Sequence, residues 1–125
     1  MNTPATLKYT KSDEWFDPAT GKVGLTDFAQ GQLSDIVFVE ILVSAGDKVE
    51  IGTPIASVES VKAAAETYSP VAGKVVAVNS DLSSAPETLN TDPFGSAWMI
   101  QVEGANPAGM MDAAAYEADC ESRAH

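Results

Sequence analysis

The sequence predicts a mainly β domain of two similar halves, with short helices and a further helix at the C-terminus. Short runs rich in Val and Ile are separated by turn residues, and nine Gly and seven Pro in 125 residues supply many turns. The segment VSAGDKVEI (43–51) is loosely repeated as PVAGKVVAV (70–78), which favours two similar turn-and-strand units folded against each other. A hydrophobic content of 45% is typical of a packed core. We expect one domain over 1–125, with its core at about 7–104 and its C-terminal helix at about 107–120.

The first half of the chain contains three predicted strands and one helix. LKYTKSDEWF (7–16) has the composition of an edge strand that runs into a turn. KVGLTDFAQGQLSD (22–35) predicts a strand followed by a short helix, with Thr26 as its N-cap and Asp27 in its first turn. The apolar run DIVFVEILV (35–43) predicts one mostly buried strand.

The second half alternates turns and strands before the last helix. It predicts, in order, a strand at 55–60, a turn and strand at 68–81, a helix start at 83–90, a final strand within 91–103, and the C-terminal helix. In the helix start, Ser84 is the expected N-cap and Glu87 completes a capping box. Asp112 is expected near the start of the C-terminal helix.

Charge and composition exclude several classes of function. Seven basic and 18 acidic residues give a net charge of −11, which opposes binding to nucleic acid or to anionic membranes. The single cysteine is Cys120 and the single histidine is His125, so an internal disulfide, a Cys/His zinc site and a Cys/His catalytic pair are not expected. There is no long apolar run and no leader pattern, which predicts a cytoplasmic protein.

One lysine occupies an unusual place in the sequence. In VESVKAAAETYSP (58–70), two predicted strands must reverse direction, and Lys62 lies near the middle of the reversal. A residue at such a tip projects into solvent, and the three alanines that follow Lys62 leave its amine accessible to a modifying enzyme. From the residues alone, an ordinary solvated surface lysine is the favoured interpretation.

The segment around Lys62 closely resembles the lipoylation segment of the glycine cleavage system H-protein family, in which a lysine in a Glu-Ser-Val-Lys-Ala setting carries lipoic acid. Several further motifs are similar to that family in the same order along the chain. They are LKYTKSDEW (7–15), VGLTDFAQGQLSDIVFVE (23–40), SPVAGKVVAVN (69–79), LNTDPFGSAWMI (89–100) and MMDAAAYEA (110–118).

The resemblance implies a barrel-sandwich hybrid fold of the lipoyl- and biotinyl-carrier type, and site residues within it. Lys62 falls on the lipoylated position, Glu59 on an acidic position used to recognise the modified segment, and Glu14 and Glu66 on positions that hold the loaded arm. One departure is Asp13, which replaces a histidine that is usual in the family.

The resemblance also implies a carrier that is not itself an enzyme. Its partners would be a pyridoxal-phosphate glycine decarboxylase that loads an aminomethyl group, an aminomethyltransferase that passes the one-carbon unit to tetrahydrofolate, and dihydrolipoyl dehydrogenase. A lipoate ligase or lipoyltransferase would attach the lipoic acid.

Four other interpretations stay open at this point. A biotin carboxyl carrier domain also presents a lysine on a hairpin, but it flanks that lysine with methionines, where this chain has Val61 and Ala63. A lipoyl domain of an acyltransferase complex usually has Asp or Thr before the lysine. An H-like protein that donates lipoyl groups to other enzymes would have the same motifs, and a β-rich interaction module would carry no cofactor.

Overall fold

Two antiparallel sheets form the body of the computed structural model, which describes residues 3–123. The strands are β1 (Lys8–Tyr9), β2 (Glu14–Phe16), β3 (Lys22–Leu25), β4 (Ile36–Ile41), β5 (Lys48–Val49), β6 (Pro54–Ser60), β7 (Ala64–Tyr68), β8 (Gly73–Val78) and β9 (Ile100–Glu103). The helices are α1 (Asp27–Leu33), α2 (Asp81–Ser84), α3 (Thr88–Thr91) and α4 (Ala113–Arg123). The prediction of a mainly β domain with short helices and a C-terminal helix is confirmed.

The two sheets divide the strands six to three. The larger sheet has the order β1-β2-β3-β9-β8-β5, and the smaller one has the order β4-β6-β7. The strands of the two similar sequence segments, β5 and β8, pair with each other, and Val49 lies opposite Gly73. The segment between β5 and β8 contains β6 and β7, which form the hairpin that bears Lys62. The two similar units therefore meet at the base of that hairpin.

The main core lies between the sheets, and a second cluster lies beneath α4. The main core includes Phe16, Val23, Val39, Val58, Val75 and Ile100. In the second cluster the rings of Tyr9 and Tyr116 stack with their centroids 4.7 Å apart, beside Trp15. Burial of these aromatic rings fixes α4 against the first two strands.

The helix start predicted at Thr26 is confirmed. Its hydroxyl accepts a hydrogen bond from the Ala29 backbone N–H at 3.2 Å, and Asp27 lies in the first turn of α1. Hydroxyl capping of this kind satisfies one of the N–H groups that a helix leaves unpaired at its first turn.

Two other sequence predictions are wrong. The strand at 35–43 is not mostly buried. The register of β4 against β6 is irregular between Ile36 and Phe38, and the consecutive residues Val37 and Phe38 are both exposed, at 55% and 44%. Ser84 is not an N-cap but the last residue of α2, and Glu87 makes no side-chain capping bond at α3. The helix ends there because Ala85 precedes a proline and takes φ −140° and ψ 64°, outside the helical region.

The C-terminal helix begins later than predicted. Met111 pairs with Tyr9 as an isolated bridge, which commits the preceding segment to an extended course. Asp112 then accepts a hydrogen bond from the Ala115 N–H at 2.8 Å, so the helix starts at Ala113 rather than near 107. Both ends of the predicted domain, including His125, lie outside the described residues. Within residues 3–123, none of the helices has the length and apolar character needed to cross a bilayer.

Candidate functional site: the hairpin of Lys62

Lys62 lies at the two-residue tip of the hairpin that β6 and β7 form. The Ser60 N–H donates to the Ala63 carbonyl at 2.7 Å, and Val61 and Lys62 make the turn between them. The Ser60 hydroxyl accepts from the Ala63 N–H at 3.0 Å and from the Lys62 N–H at 3.3 Å. Serine therefore closes the turn with its side chain as well as its backbone, which gives the tip a defined shape.

The surroundings of the Lys62 side chain are open. Val61 is 75% exposed, and Ala63, Ala64 and Ala65 are also exposed and small. Both ion pairs formed among residues 3–123 involve Arg123, so the Lys62 amine is not engaged by a carboxylate in that part of the chain. An amine in this position is accessible to a macromolecular partner from several directions.

Two rows of side chains cross the outer face of the smaller sheet beneath the tip. In the first row, Phe38 lies opposite Glu59, which lies opposite Ala64. In the second row, farther from the tip, Glu40 lies opposite Ser57, which lies opposite Glu66. Residues directly opposite in antiparallel strands have Cβ atoms about 5 Å apart.

A shallow groove lies on this face between β6 and β7. Its volume is about 440 Å³, and Glu59, Ala64, Glu66 and Tyr68 are among the residues that line it. The alanine leaves room near the tip, while the two glutamates make the groove acidic. The groove therefore suits a narrow, flexible group that carries positive charge.

Glu14 lies at the far end of β7 from Lys62 and is only 1% exposed. Its Oε1 accepts hydrogen bonds from the hydroxyls of Thr10 at 2.7 Å and Ser12 at 2.6 Å. Its Oε2 accepts from the Tyr68 N–H at 3.3 Å, which joins the larger sheet to β7. Burial raises the pKa of the Glu14 carboxyl, and the hydrogen bonds from Ser12, Thr10 and the Tyr68 N–H partly offset that rise.

The structure brings three of the four predicted site residues onto one hairpin. Lys62 is at the tip, and Glu59 and Glu66 line the groove below it. Glu14 is not among the groove residues, and its carboxylate is buried rather than solvated.

Sequence reasoning did not identify the residues that shape this site. The hydroxyl groups of Thr10 and Ser12 precede Glu14 by four and two residues, a spacing that could have indicated a locally hydrogen-bonded carboxylate. Ser60, two residues before Lys62, could likewise have been recognised as a side chain that closes a turn. Asn90, which contacts the strand beside the hairpin, gave no such local signal.

Two other kinds of site lack support within residues 3–123. Their His, Cys, Asp and Glu side chains form no group of three that could hold a metal ion. Cys120 lies on the buried face of α4, and burial raises the pKa of its thiol. The thiolate needed for nucleophilic chemistry is therefore disfavoured.

Comparison with known proteins assigns the family. A family model described as Glycine cleavage H-protein matches residues 7–123. The glycine cleavage system H protein of Chlorobium luteolum is 50% identical over 123 residues, which cover 93% of this chain and 95% of that protein. The protein of the same name from Nitratidesulfovibrio vulgaris is 46% identical over 128 residues, covering all of both chains.

A solved structure agrees with this assignment. The crystal structure of a glycine cleavage system H protein from Mycobacterium marinum is similar to this fold with a TM-score of 0.83 and 32% identity, over 92% of this chain and 96% of that one. The likeness confirms the predicted barrel-sandwich hybrid. Since the family model and the relatives span nearly the whole sequence, this chain belongs to the glycine cleavage H-protein family.

Proposed function

We propose that this chain is the non-catalytic carrier of the glycine cleavage system and that lipoic acid is attached to Lys62 through an amide bond. The observation that carries the proposal is the exposed two-residue tip, on which the Lys62 amine has no partner among residues 3–123. Membership of the H-protein family supports the same role for the hairpin.

The hairpin fits a lipoyl group in length and in shape. A lipoyl-lysine arm has about eleven bonds from Cα to the ring and spans roughly 14 Å. Glu66 follows Lys62 by four residues, roughly 13 Å of extended chain. The groove between β6 and β7 therefore has about the length of the arm. When bound, the lipoyl group supplies the sulfur that carries a one-carbon unit and the dithiol that is later reoxidised.

Glu66 is the proposed contact for the loaded arm, and Glu14 is proposed to act on the arm at longer range. The amine of an aminomethyl cargo is cationic at neutral pH, and an exposed carboxylate such as Glu66 can offer it a charge-assisted hydrogen bond. Glu14 meets β7 two residues farther from the tip, at the Tyr68 N–H. We assign it a longer-range role, in which its buried carboxylate holds the base of β7 and favours a nearby cation.

Substitution on the outer face tests this contact. Glu66→Gln should shorten the lifetime of the loaded carrier, because the amide cannot form an ion pair with the cargo. Glu40→Gln is the matched control, since Glu40 lies in the same cross-strand row but on the strand two positions away. Equal lifetimes for Glu66→Gln, Glu14→Gln and the unsubstituted protein would show that neither glutamate stabilises the loaded arm.

Glu59 is the proposed recognition residue for the lipoate ligase or lipoyltransferase. Its exposed side chain lies on the same face as Ala64 and close to the tip. A modifying enzyme that reads the hairpin can therefore contact this carboxylate while its active site receives Lys62. Glu59→Gln should slow modification without preventing it.

The proposed partners are the three enzymes of the system. They are a pyridoxal-phosphate glycine decarboxylase, an aminomethyltransferase and dihydrolipoyl dehydrogenase, which would meet the carrier in the cytoplasm. This chain would bind, orient and shield the arm, while the bond-making steps take place on the partners.

Intact mass after co-expression with a lipoate ligase and added lipoate tests the modification. We expect a single lipoyl increment that maps to Lys62 and is lost in Lys62→Arg. Lys74→Arg is the control, because Lys74 is an exposed lysine on β8 outside the hairpin. If the protein gains no increment while the ligase modifies a known substrate, the assignment of Lys62 is wrong. Transfer of lipoyl groups to other proteins, without support of glycine cleavage, would instead identify an H-like lipoyl donor.

A further inference from the structure

We propose that Asn90 is a positioning residue that fixes the tip of the lysine hairpin from outside it and thereby sets the rate at which Lys62 is modified. The inference rests on the proposed attachment of lipoic acid to Lys62. It extends that proposal to a residue on α3, a separate element of the fold.

A single hydrogen bond connects the tip to the rest of the protein among residues 3–123. The Val61 N–H donates to the Asp35 carbonyl at 3.0 Å, while the other polar contacts of the tip lie within the hairpin. Val61 immediately precedes Lys62. The position of Asp35 therefore determines how the residue before the lysine is held.

The chain around Asp35 is in an unfavourable conformation that needs support. Ser34 has φ 66° and ψ −141°, a combination that residues with a Cβ rarely adopt. Such a conformation persists only where neighbouring contacts enforce it, and it is concentrated at functional sites. The Ser34 N–H is held by the Gln30 carbonyl at the end of α1.

Asn90 supplies the contacts on the other side of this segment. Its Oδ1 accepts from the Ile36 N–H at 2.9 Å, and its Nδ2 donates to the Ser34 carbonyl at 2.8 Å and to Gln30 Oε1 at 2.9 Å. The backbone N–H of Ile36 can only donate, so the orientation of the amide is fixed. The Asn90 side chain thus forms hydrogen bonds to the residues immediately before and after Asp35.

The contacts form a short path from α3 to the modification site. Asn90 holds Ser34 and Ile36 through hydrogen bonds, and these two residues position Asp35 between them. The Asp35 carbonyl in turn accepts the hydrogen bond from the Val61 N–H, next to Lys62. Loss of the Asn90 amide should let the Ser34–Ile36 segment relax and weaken the bond to Val61. Lys62 would then sample more orientations, and a modifying enzyme would have to order the tip before it could react.

Amide hydrogen exchange measured by NMR tests the first part of the path. In Asn90→Ala, the Val61 amide should exchange about 3- to 10-fold faster relative to the Ala63 amide, the range expected for loss of one neutral hydrogen bond. Ala63 is the internal reference because its N–H bonds to Ser60 within the hairpin. Val75→Ala, a core substitution on β8, controls for global destabilisation and should speed both amides equally.

The rate of modification tests the second part. With lipoate ligase, kcat/KM for Asn90→Ala should fall about 3- to 10-fold below that for Val75→Ala. Either an unchanged ratio of Val61 to Ala63 exchange or an unchanged kcat/KM overturns the inference. If the unsubstituted protein takes up no lipoyl group, the proposed function fails instead, and the exchange measurement still decides whether Asn90 holds the tip.

Discussion

Arg123 donates two hydrogen bonds to the carboxylate of Asp13, from Nη2 to Oδ1 at 2.6 Å and from Nη1 to Oδ2 at 3.1 Å. The Tyr116 hydroxyl also donates to Asp13 Oδ1, at 2.9 Å. An aspartate at position 13 can accept two parallel bonds from a guanidinium, which a histidine could not. The last turn of α4 is thereby fastened to the residue that precedes Glu14.

Asp13→Ala should loosen α4 and expose Cys120. The buried thiol, whose pKa is raised by burial, should react slowly with an alkylating reagent in the unsubstituted protein. Without the bonds from Arg123 and Tyr116, alkylation should speed up, and the free energy of unfolding should fall by about 1 kcal/mol. Glu121→Ala, an exposed charge removed from the same helix, should change neither quantity appreciably. Equal alkylation rates in the two variants would contradict an anchoring role for Asp13.

Glu14 should make stability fall as the pH rises. Its raised pKa keeps a proton on the folded protein over a pH range in which the unfolded chain has already lost it. The free energy of unfolding should therefore decrease as the pH increases from the ordinary glutamate pKa of about 4.3 through the raised value. Denaturant unfolding across this range should show that the unsubstituted protein loses stability relative to Glu14→Gln.

A substitution at Thr10 tests the same pH dependence of stability. The Thr10 hydroxyl lowers the pKa of Glu14 in the folded protein, so Thr10→Val should extend the upper end of this pH range. A stability difference between Glu14→Gln and the unsubstituted protein that does not vary with pH would mean that Glu14 has the same pKa in the folded and unfolded chains.

Among residues 3–123, Ser34 and Asp13 are the two residues with a Cβ that have a positive φ, and replacement by glycine should affect them differently. Ser34 has φ 66°, and its hydroxyl makes no hydrogen bond among residues 3–123, so Ser34→Gly should raise the free energy of unfolding by about 0.5 kcal/mol or leave it unchanged. Asp13 has φ 74° but also binds Arg123, so Asp13→Gly should lower it by about 1 kcal/mol. Thermal or denaturant unfolding measures both. Equal destabilisation by the two changes would show that Ser34 is not strained.

Gly24→Ala should disturb Trp15. A Cβ at position 24 would lie 2.8 Å from the indole of Trp15, whose Nε1–H donates to the carbonyls of Leu25 and Pro93. We expect a loss of about 1–3 kcal/mol in the free energy of unfolding and a shift in tryptophan emission as the ring is displaced. Gly31→Ala is the control, since a Cβ there meets no atom within 4 Å. A stable Gly24→Ala protein with unchanged emission would show that β3 can move away from the ring.

The acidic outer face should make the carrier's reactions sensitive to salt. Glu59 and Glu66 are exposed beneath the tip, on a chain with a net charge of −11. If basic patches on the partner enzymes are steered by this face, kcat/KM should fall as ionic strength rises. The double change Glu59→Gln and Glu66→Gln should flatten that dependence, whereas Glu121→Gln on α4 should not. If the double variant and the unsubstituted protein show the same salt dependence, the charges that steer the partners lie elsewhere.

The sequence predicted the local features of this fold well. Thr26 and Asp112 follow simple capping rules, and Lys62 lies between two runs that must reverse direction, so each could be placed without knowledge of the tertiary structure. The end of α2 was also predictable in principle, because Ala85 precedes a proline. The prediction at Ser84 is wrong because the restriction on the residue before a proline outweighs the capping-box pattern.

Features that depend on contacts between distant segments were not accessible in this way. Glu14 is buried because β7 and two nearby hydroxyls surround its carboxylate. The sequence separation gives no indication that the Tyr68 N–H is one of its hydrogen-bond donors. Phe38 is exposed on the outer face of β4 and Val37 at the register irregularity beside it, although the same apolar run would suit a strand buried on both faces. The hydrogen bond between the Ile36 N–H at the start of β4 and the Asn90 side chain likewise joins segments that are far apart in sequence.

The order of strands in the two sheets has a consequence for how the protein is made. The small sheet contains only β4, β6 and β7, so every strand of it has been synthesised once the chain reaches Tyr68. The larger sheet cannot be completed until Ile100–Glu103 emerges, because β9 is inserted between β3 and β8 at its centre. Closing the long loop from β3 to β9 is also the slower kind of pairing. On the ribosome, the lysine hairpin is therefore able to form while the scaffold that will support it still lacks its central strand.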